Sequence, residues 1–207
     1  MARTYFPQPR ECFEMKIAVI KYNAGNIRSV SFALERLGID FIITDNQEEI
    51  QSADKVIFPG VGEASSTMRY LRDRKLDGVI RSLKQPTLGI CLGMQLMCSH
   101  SDENNTDCLG IFNETVQLFK SDTLKVPHMG WNSLDKVKGW LDPALSEKYV
   151  YFVHSYYVPQ SMYTVAETNY GMNFSAALRK DNFYAVQFHP EKSAAAGELV
   201  LKSFLKE

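Results

Sequence analysis

Residues 87–96, TLGICLGMQL, predict a buried strand that turns sharply into a helix. The first four residues have the length and apolar character of a buried strand, and a helical pattern begins at 94–96. Cys91 lies between the two, with Gly89 and Gly93 two residues away on either side. Because glycines relieve the crowding of a sharp strand-to-helix turn, the stretch predicts a nucleophile elbow that carries a cysteine.

This turn would have two consequences for Cys91. It places the sulfur near the N-terminus of a helix, which favours a thiolate, and it leaves the backbone N–H of Leu92 free to face an oxyanion. Both features favour acyl transfer. A buried, inert cysteine in a glycine-rich turn is the alternative for this motif alone, because free cysteine is among the most buried residue types.

Short apolar runs alternate with longer amphipathic stretches in the first half of the chain. This alternation is typical of repeated βαβ units, which build a parallel sheet covered by helices. The expected elements are strands at 16–22, 41–44, 55–58 and 87–90 and helices at 26–37, 47–51 and 63–83.

The second half has β-like runs that are joined by loops instead of long helices. These runs lie at 115–119, 149–153, 176–178 and 183–188, and a final helix is expected at 193–205. The predicted fold class is therefore α/β, with a mostly parallel central sheet flanked by helices and with added antiparallel strands. We assign residues 1–15 to an N-terminal tail or extension and residues 16–207 to one domain.

The charge balance limits the partners of the protein. The chain has 207 residues, with 23 Lys plus Arg and 24 Asp plus Glu. Because no net field favours nucleic acid or an anionic membrane, we expect neither as a partner. No apolar run approaches the roughly 20 residues that span a bilayer, and residues 1–15 lack the apolar core of a secretion signal. We expect a cytoplasmic protein.

The cysteine spacing favours free thiols over disulfides. The four cysteines are Cys12, Cys91, Cys98 and Cys108, and they show no paired spacing. His100 lies near two of them, but C-x-H with one distant cysteine lacks a fourth ligand at zinc-site spacing. We predict no metal and no cofactor.

A second chemical motif, QFHPE at 187–191, ends a strand-like run. If the chain stays extended through Pro190, His189 and Glu191 project to the same side. The carboxylate then fixes the imidazole tautomer and leaves the other nitrogen for a thiol. A lone histidine at a strand end is more often structural, but the pairing of this motif with a cysteine elbow favours a general base and its orienting carboxylate.

A third motif, PGVG at 59–62, follows the predicted strand 55–58. Ligands bind at the carboxyl ends of strands in open α/β sheets, and backbone N–H groups of Gly60, Val61 or Gly62 are candidates for a second oxyanion donor. The same residues also form ordinary turns, so the motif decides little alone.

Together, these motifs resemble the signatures of the class I (triad) glutamine amidotransferases. The matching stretches are GICLGMQ at 89–95, FPGVG at 58–62 and FHPEKS at 188–193. Within that family, the chain looks like the glutaminase subunits of imidazole glycerol phosphate synthases. The stretches that carry this narrower likeness are YNAGNIRSV at 22–30, KVPHMGWN at 125–132 and YFVHSY at 151–156.

The resemblance implies a reaction and its residues. Cys91 would attack the side-chain amide of glutamine, His189 would protonate the departing ammonia and later activate water, and Glu191 would hold His189. The intermediate would be a glutamyl thioester. The implied substrate contacts are Gln95, Glu103, Ser155 and Tyr156. A carboxylate such as Glu103 suits the α-ammonium of glutamine, although its loop reads equally well as solvated surface.

The resemblance also implies a partner. In this family, the ammonia passes to a separate (β/α)₈-barrel cyclase subunit, which makes imidazole glycerol phosphate and an aminoimidazole carboxamide ribotide. The residues implied at that interface are Trp131, Asn132, Tyr151 and Lys192. From the sequence alone, Trp131 and Tyr151 could equally be core aromatics.

Two other functions compete with this one. The glutaminase subunit of anthranilate or aminodeoxychorismate synthase shares the elbow and the HPE motif, but is not expected to carry PHMGWN. A catalytically silent scaffold subunit would be expected to have a damaged triad, and all three residues are present here.

Overall fold

The computed structural model describes residues 15–22, 26–121 and 123–207. Nearly all of the expected N-terminal tail, including Cys12, lies outside the described residues. None of the helices in the described ranges has the length and apolar character needed to cross a membrane.

Thirteen strands are present in the described residues. They are β1 (Ile17–Ile20), β2 (Phe41–Thr44), β3 (Lys55–Phe58), β4 (Thr87–Ile90), β5 (Cys98–Ser101), β6 (Thr106–Asp107), β7 (Phe112–Leu118), β8 (His128–Ser133), β9 (Tyr149–His154), β10 (Tyr156–Tyr157), β11 (Thr164–Asn169), β12 (Asn173–Lys180) and β13 (Phe183–Val186). The helices are α1 (Ile27–Arg36), α2 (Gln47–Ser52), α3 (Ala64–Asp73), α4 (Leu76–Ser82), α5 (Leu92–Met97) and α6 (Ala194–Leu205). Two 3₁₀ turns cover Pro143–Leu145 and Pro190–Lys192.

A seven-stranded sheet forms the centre of the fold, in the order β11-β12-β13-β4-β3-β1-β2. The five strands from β13 to β2 are parallel, while β12 and β11 are added antiparallel at one edge. This arrangement confirms the predicted fold class. Every residue of β1, β3, β4 and β13 is buried, which explains why these strands appear as short runs rich in apolar residues.

The helix predicted over 63–83 is wrong as a single element, because the structure divides it into α3 and α4. Lys75, at the junction, adopts the left-handed conformation with φ of 57°. The side chain of Glu63 begins α3 by accepting hydrogen bonds from the backbone N–H groups of Ser65 and Ser66, each at 2.8 Å. No glycine or proline marks the break at Lys75, so the sequence pattern runs through it.

Two smaller sheets lie beside the central one, and the sequence predicted them only in part. Strands β10, β7, β5 and β6 form a four-stranded sheet, and β8 pairs with β9 in an antiparallel hairpin. The stretches that form β5, β6, β8 and β10, and the edge strand β11 of the central sheet, were not predicted as strands. The hairpin brings the PHMGWN stretch against the YFVHSY stretch, with Trp131 opposite Tyr151.

Candidate active site

Cys91 lies at the turn between β4 and α5, with φ of 52° and ψ of −107°. The backbone N–H of Cys91 donates to the carbonyl of Val186 at 2.8 Å, which fixes the turn to the neighbouring strand β13. A Cβ atom on Gly89 would lie 2.8 Å from Met97 Sδ, and one on Gly93 would overlap the carbonyl of Phe58. The two glycines are therefore a steric requirement of this elbow.

His189 and Glu191 follow β13, the strand that pairs in parallel with β4. His189 Nδ1 lies 2.8 Å from Glu191 Oε1, and both side chains are buried. This contact fixes the tautomer: Nδ1–H donates to the carboxylate, and Nε2 is the remaining nitrogen. Among the described residues, Nε2 has no hydrogen-bond partner, so it is available to a reacting group.

The backbone does not stay extended through Pro190, yet the contact between His189 and Glu191 forms. His189 itself is extended, with φ of −104° and ψ of 96°, but Pro190–Lys192 is a 3₁₀ turn. Proline at the first position of a helical turn is favourable because its φ is already suitable and its missing N–H is not needed there. The turn brings Glu191 back to the imidazole.

The surroundings of His189 favour its protonated form. Burial lowers the pKa of His189, but the neighbouring Cys91 and Glu191 outweigh burial and raise the pKa above its ordinary value. An imidazolium between a carboxylate and a thiol is the arrangement expected for a cysteine nucleophile and its acid–base partner.

Asn26 is a site residue that sequence reasoning missed. Its Nδ2 donates to Glu191 Oε1 at 3.1 Å, and the residue is buried. Asn26 is the N-cap residue of α1, yet its side chain makes no capping hydrogen bond. In the sequence, an asparagine before a helix is typical of a cap. Only the fold shows that its amide is used by the carboxylate.

The backbone N–H of Leu92 is not free, contrary to expectation. It donates to the carbonyl oxygen of Gly60, at 3.4 Å. The approach is close because Gly60 has no side chain: a Cβ there would lie 2.5 Å from Gly93 N and 2.7 Å from Leu92 Cβ. The 59–62 loop does follow β3, the strand next to β4, so it lies beside the elbow as predicted. It presents a carbonyl to Leu92.

A cavity of about 330 Å³ opens at Cys91. All four expected substrate residues line it, together with two residues of the 59–62 loop. The lining residues are Val61, Gly62, Cys91, Leu92, Gln95, Glu103, Pro127, Val153, His154, Ser155 and Tyr156. The sequence did not point to Pro127, Val153 or His154, which reach the cavity through the β8–β9 hairpin and its flanking residues.

Two polar side chains of the cavity are already engaged. Gln95 Nε2 donates to the carbonyl of Tyr156 at 2.9 Å and to Gln187 Oε1 at 3.0 Å, so Gln95 offers only its oxygen to a ligand. Glu103 Oε2 accepts from the backbone N–H of Ala64 at 2.7 Å. Burial raises the pKa of Glu103 above its ordinary value. Glu103 is therefore part of the cavity wall, not a fully solvated surface charge.

The side chains of three of the four residues expected at a partner interface lie close together. Trp131 is 52% exposed, which excludes the core alternative for this side chain, and its ring centroid is 6.0 Å from that of Tyr151. Lys192 Nζ lies 5.8 Å from the Tyr151 ring. Asn132 Nδ2 donates to the carbonyl of Asn169 at 2.8 Å.

Cys98, His100 and Cys108 do not line this cavity. Cys98 is fully buried, and burial raises the pKa of its thiol. His100 Nδ1 pairs with Asp107 Oδ1 at 3.1 Å. Within the described ranges, no group of three or more His, Cys, Asp or Glu side chains is placed to hold a metal ion.

Comparison with known proteins identifies the class to which this fold and site belong. The family "Glutamine amidotransferase class-I" matches residues 18–207, and the chain belongs to this family. A solved structure described as a glutamine amidotransferase superposes with a TM-score of 0.72 at 19% identity, covering 92% of this chain and 97% of that one. At that identity, the likeness supports the fold alone.

Curated relatives narrow the class. The chain is 59% identical over 195 residues to the imidazole glycerol phosphate synthase subunit HisH of Bacteroides fragilis, covering 93% of this chain and all of the relative. It is 44% identical over 192 residues to the protein of the same name from Idiomarina loihiensis, covering 93% of this chain and 98% of the relative.

Proposed function

We propose that this chain is the glutamine-hydrolysing subunit of an imidazole glycerol phosphate synthase. The observation that carries the reaction is the elbow cysteine beside the buried His189–Glu191 pair, in which His189 Nε2 has no hydrogen-bond partner among the described residues. The choice of pathway rests on two relatives that carry the name of this synthase subunit and are 59% and 44% identical to the chain.

The chemistry follows from the three side chains. The Cys91 thiolate attacks the side-chain carbonyl of glutamine, and the carbon–nitrogen bond breaks as His189 gives its proton to the departing ammonia. A glutamyl thioester remains on the sulfur. His189 then takes a proton from water, which attacks the thioester, and the carbon–sulfur bond breaks with its electron pair returning to sulfur. Glu191 holds Nδ1–H, so Nε2 serves both steps.

The cavity supports glutamine as the substrate. Glu103 and the free oxygen of Gln95 are acceptors for the α-ammonium, and Ser155 and Tyr156 line the same wall. A carboxylate on the wall of a partly enclosed cavity binds a cation more strongly than one in open water. We assign the substrate contacts to Gln95, Glu103, Ser155 and Tyr156.

The oxyanion donors require a rearrangement of the 59–62 loop. While the Gly60 carbonyl accepts from Leu92 N–H, that donor cannot serve a tetrahedral intermediate. Turning the carbonyl away would free Leu92 N–H and would direct a loop N–H from Gly60, Val61 or Gly62 towards the cavity. We infer that this step couples hydrolysis to the partner.

The partner is a (β/α)₈-barrel cyclase subunit, which receives the ammonia. Free ammonia becomes ammonium in neutral water and is then no longer a nucleophile. Ammonia released by this chain can therefore react further only when the partner is docked to receive it. We assign the docking face to Trp131, Asn132, Tyr151 and Lys192. Trp131 and Lys192 are exposed and both lie near the half-buried Tyr151 ring, and Asn132 follows Trp131 in β8.

The direct test is glutamine hydrolysis by this chain with its barrel subunit and the nucleotide ligand of that subunit. Cys91→Ala is expected to abolish hydrolysis, since it removes the nucleophile. The matched control is Cys108→Ala, a partly buried cysteine outside the cavity, which should keep the wild-type rate. Wild-type hydrolysis by Cys91→Ala in the complex would refute the mechanism.

A further inference from the structure

Gln187 is a fully buried amide that lies two residues before His189 and that the proposed mechanism does not use. It directly follows β13, and its backbone N–H donates to the carbonyl of Ala176 at 2.8 Å. A buried side-chain amide is costly unless its donors and acceptor are paired. The hydrogen-bond partners of the Gln187 side chain therefore indicate its role.

The orientation of the Gln187 amide is fixed by its neighbours. The Tyr156 carbonyl can only accept, so the group of Gln95 that faces it at 2.9 Å must be the NH₂. The same NH₂ lies 3.0 Å from Gln187, so the atom of Gln187 that faces it is the oxygen. This leaves the NH₂ of Gln187 facing Cys91 Sγ, at 3.6 Å. A flipped amide would place two donors against each other.

Two histidines fix the Tyr156 carbonyl from the other side. His154 Nδ1 lies 2.7 Å from the Tyr156 carbonyl, and His128 Nδ1 lies 3.1 Å from His154 Nε2. The carbonyl makes His154 Nδ1 a donor and Nε2 an acceptor, so His128 donates from Nδ1. The Tyr156 carbonyl therefore accepts from His154 on one side and from Gln95 on the other, and Gln95 donates in turn to Gln187, so this carbonyl holds Gln95 and, through it, Gln187.

Besides facing His189, Cys91 Sγ has two hydrogen-bond contacts among the described residues. Gln187 Nε2 is a donor at 3.6 Å, and the Val153 carbonyl is an acceptor at 3.9 Å. A thiol can use both, by donating S–H to the carbonyl. A thiolate can use only the donor, and hydrogen bonds to an ionised group are the stronger kind. The amide N–H of Gln187 therefore favours negative charge on sulfur.

We propose that Gln187 is a further catalytic residue, whose side-chain N–H donates to the Cys91 sulfur whenever that sulfur is anionic. This role rests on the proposed glutaminase reaction. Sulfur is anionic twice: before it attacks the amide carbon, and again when the carbon–sulfur bond of the thioester breaks and the electron pair returns to it. Gln187 favours both states without giving up a proton.

The test compares Gln187→Met with wild type in the reaction of Cys91 with iodoacetamide across a range of pH. Methionine has a similar length and no N–H. The pH at which alkylation reaches half of its maximal rate is expected to rise by about one unit or more. Glutamine hydrolysis by the complex at neutral pH should fall about 10-fold in kcat, with little change in KM.

The control is Gln117→Met, which removes a partly buried amide that accepts from the Tyr157 hydroxyl at 3.0 Å, outside the cavity. It should leave the alkylation profile unchanged. Cys91→Ala identifies the alkylated sulfur. A folded Gln187→Met with the wild-type profile would overturn the role of Gln187, because a side chain that only fills space does not move a pH profile.

If Gln187→Met does not fold, the ¹⁵N-labelled wild-type chain decides. The side-chain amide signals of Gln187 should shift at the pH midpoint of Cys91 alkylation, and this shift should vanish in Cys91→Ala. Signals that stay constant through that pH range would overturn the inference. The two failures are distinct: hydrolysis by Cys91→Ala would refute the proposed function, whereas an unchanged alkylation profile in Gln187→Met would remove only the role of Gln187.

Discussion

The carboxyl ends of β4 and β13 carry Cys91 and the His189–Glu191 pair, whereas the end of β3 carries the 59–62 loop. The first region is assembled: His189 and Glu191 are 2.8 Å apart and buried. The second region blocks an oxyanion donor, because its Gly60 carbonyl accepts the hydrogen bond of Leu92 N–H. Strands that are buried on both faces hold the nucleophile and base, whereas the loop has a glycine at the peptide that must reorient.

One site can therefore hold an assembled nucleophile and base and still lack its oxyanion donors. Nucleophilic attack needs Cys91 and His189, but the tetrahedral intermediate also needs N–H donors, and one oxyanion donor contributes roughly 10²–10³-fold in rate. A partner that turns the loop can therefore control hydrolysis without moving the triad.

Loss of the base should have the largest effect. His189→Asn keeps a polar side chain of similar size but cannot exchange protons, so kcat for glutamine hydrolysis by the complex should fall by roughly 10⁴-fold. Partner affinity should not change, which a binding titration would check. A loss below about 10-fold would mean that the strand-end region is not the catalytic one.

Gly93→Ala tests the rigidity of the strand-end region. The new Cβ would overlap the Phe58 carbonyl, which is backbone and cannot move aside. The free energy of unfolding should fall by about 1–3 kcal/mol in a denaturant titration. The control is Gly78→Ala in α4, where a Cβ meets nothing within 4 Å and the helix should be unchanged or slightly more stable. Equal stability of the two variants would argue against a tightly packed elbow.

Trp131→Ala tests the docking face. Because the ring is 52% exposed, the stability of the isolated chain should change little. The Kd for the barrel subunit should rise by about 10-fold or more, as expected for a central aromatic of an interface. Met162→Ala, at a side chain that is 88% exposed and lies outside this face, should bind as wild type. Unaltered binding by Trp131→Ala would show that the interface lies elsewhere on the surface.

The smallest expected effect is a pH dependence of stability that arises from the buried His154. Burial lowers the pKa of His154 to about 3, from 6.5. Its neutral form therefore contributes stability that is complete above pH 6.5 and is lost progressively as the pH falls towards 3. The stability difference between wild type and His154→Gln should shrink by about 1–2 kcal/mol between pH 7 and pH 5. A constant difference in denaturant titrations would contradict a neutral His154.

The sequence predicted the parts of this protein whose signals are local. The parallel strands are short buried runs, and the elbow has glycines where the turn needs them. The break at Lys75 was missed because no glycine or proline marks it. Strands β5 and β8 were missed because they are partly polar and form only by pairing with distant segments.

The site residues divide in the same way. Cys91, His189 and Glu191 stand in motifs with a mechanical reason for their spacing. Asn26 and Gln187 depend on contacts that are 165 and 96 residues away in the sequence, so only the fold reveals them. The state of the loop also depends on the fold, because Leu92 N–H was expected to be free.

In this site the nucleophile and its base are assembled, while the oxyanion donors are not. Iodoacetamide tests the first alone, because alkylation of sulfur forms no oxyanion. The decisive measurement compares two rates at Cys91, alkylation and glutamine hydrolysis, in the isolated chain and in the complex with the barrel subunit and its nucleotide ligand. We predict that Cys91 is alkylated at a similar rate in the isolated chain and in the complex, whereas glutamine hydrolysis increases by at least about 10²-fold in the complex. Hydrolysis by the isolated chain at the rate of the complex would contradict the claim.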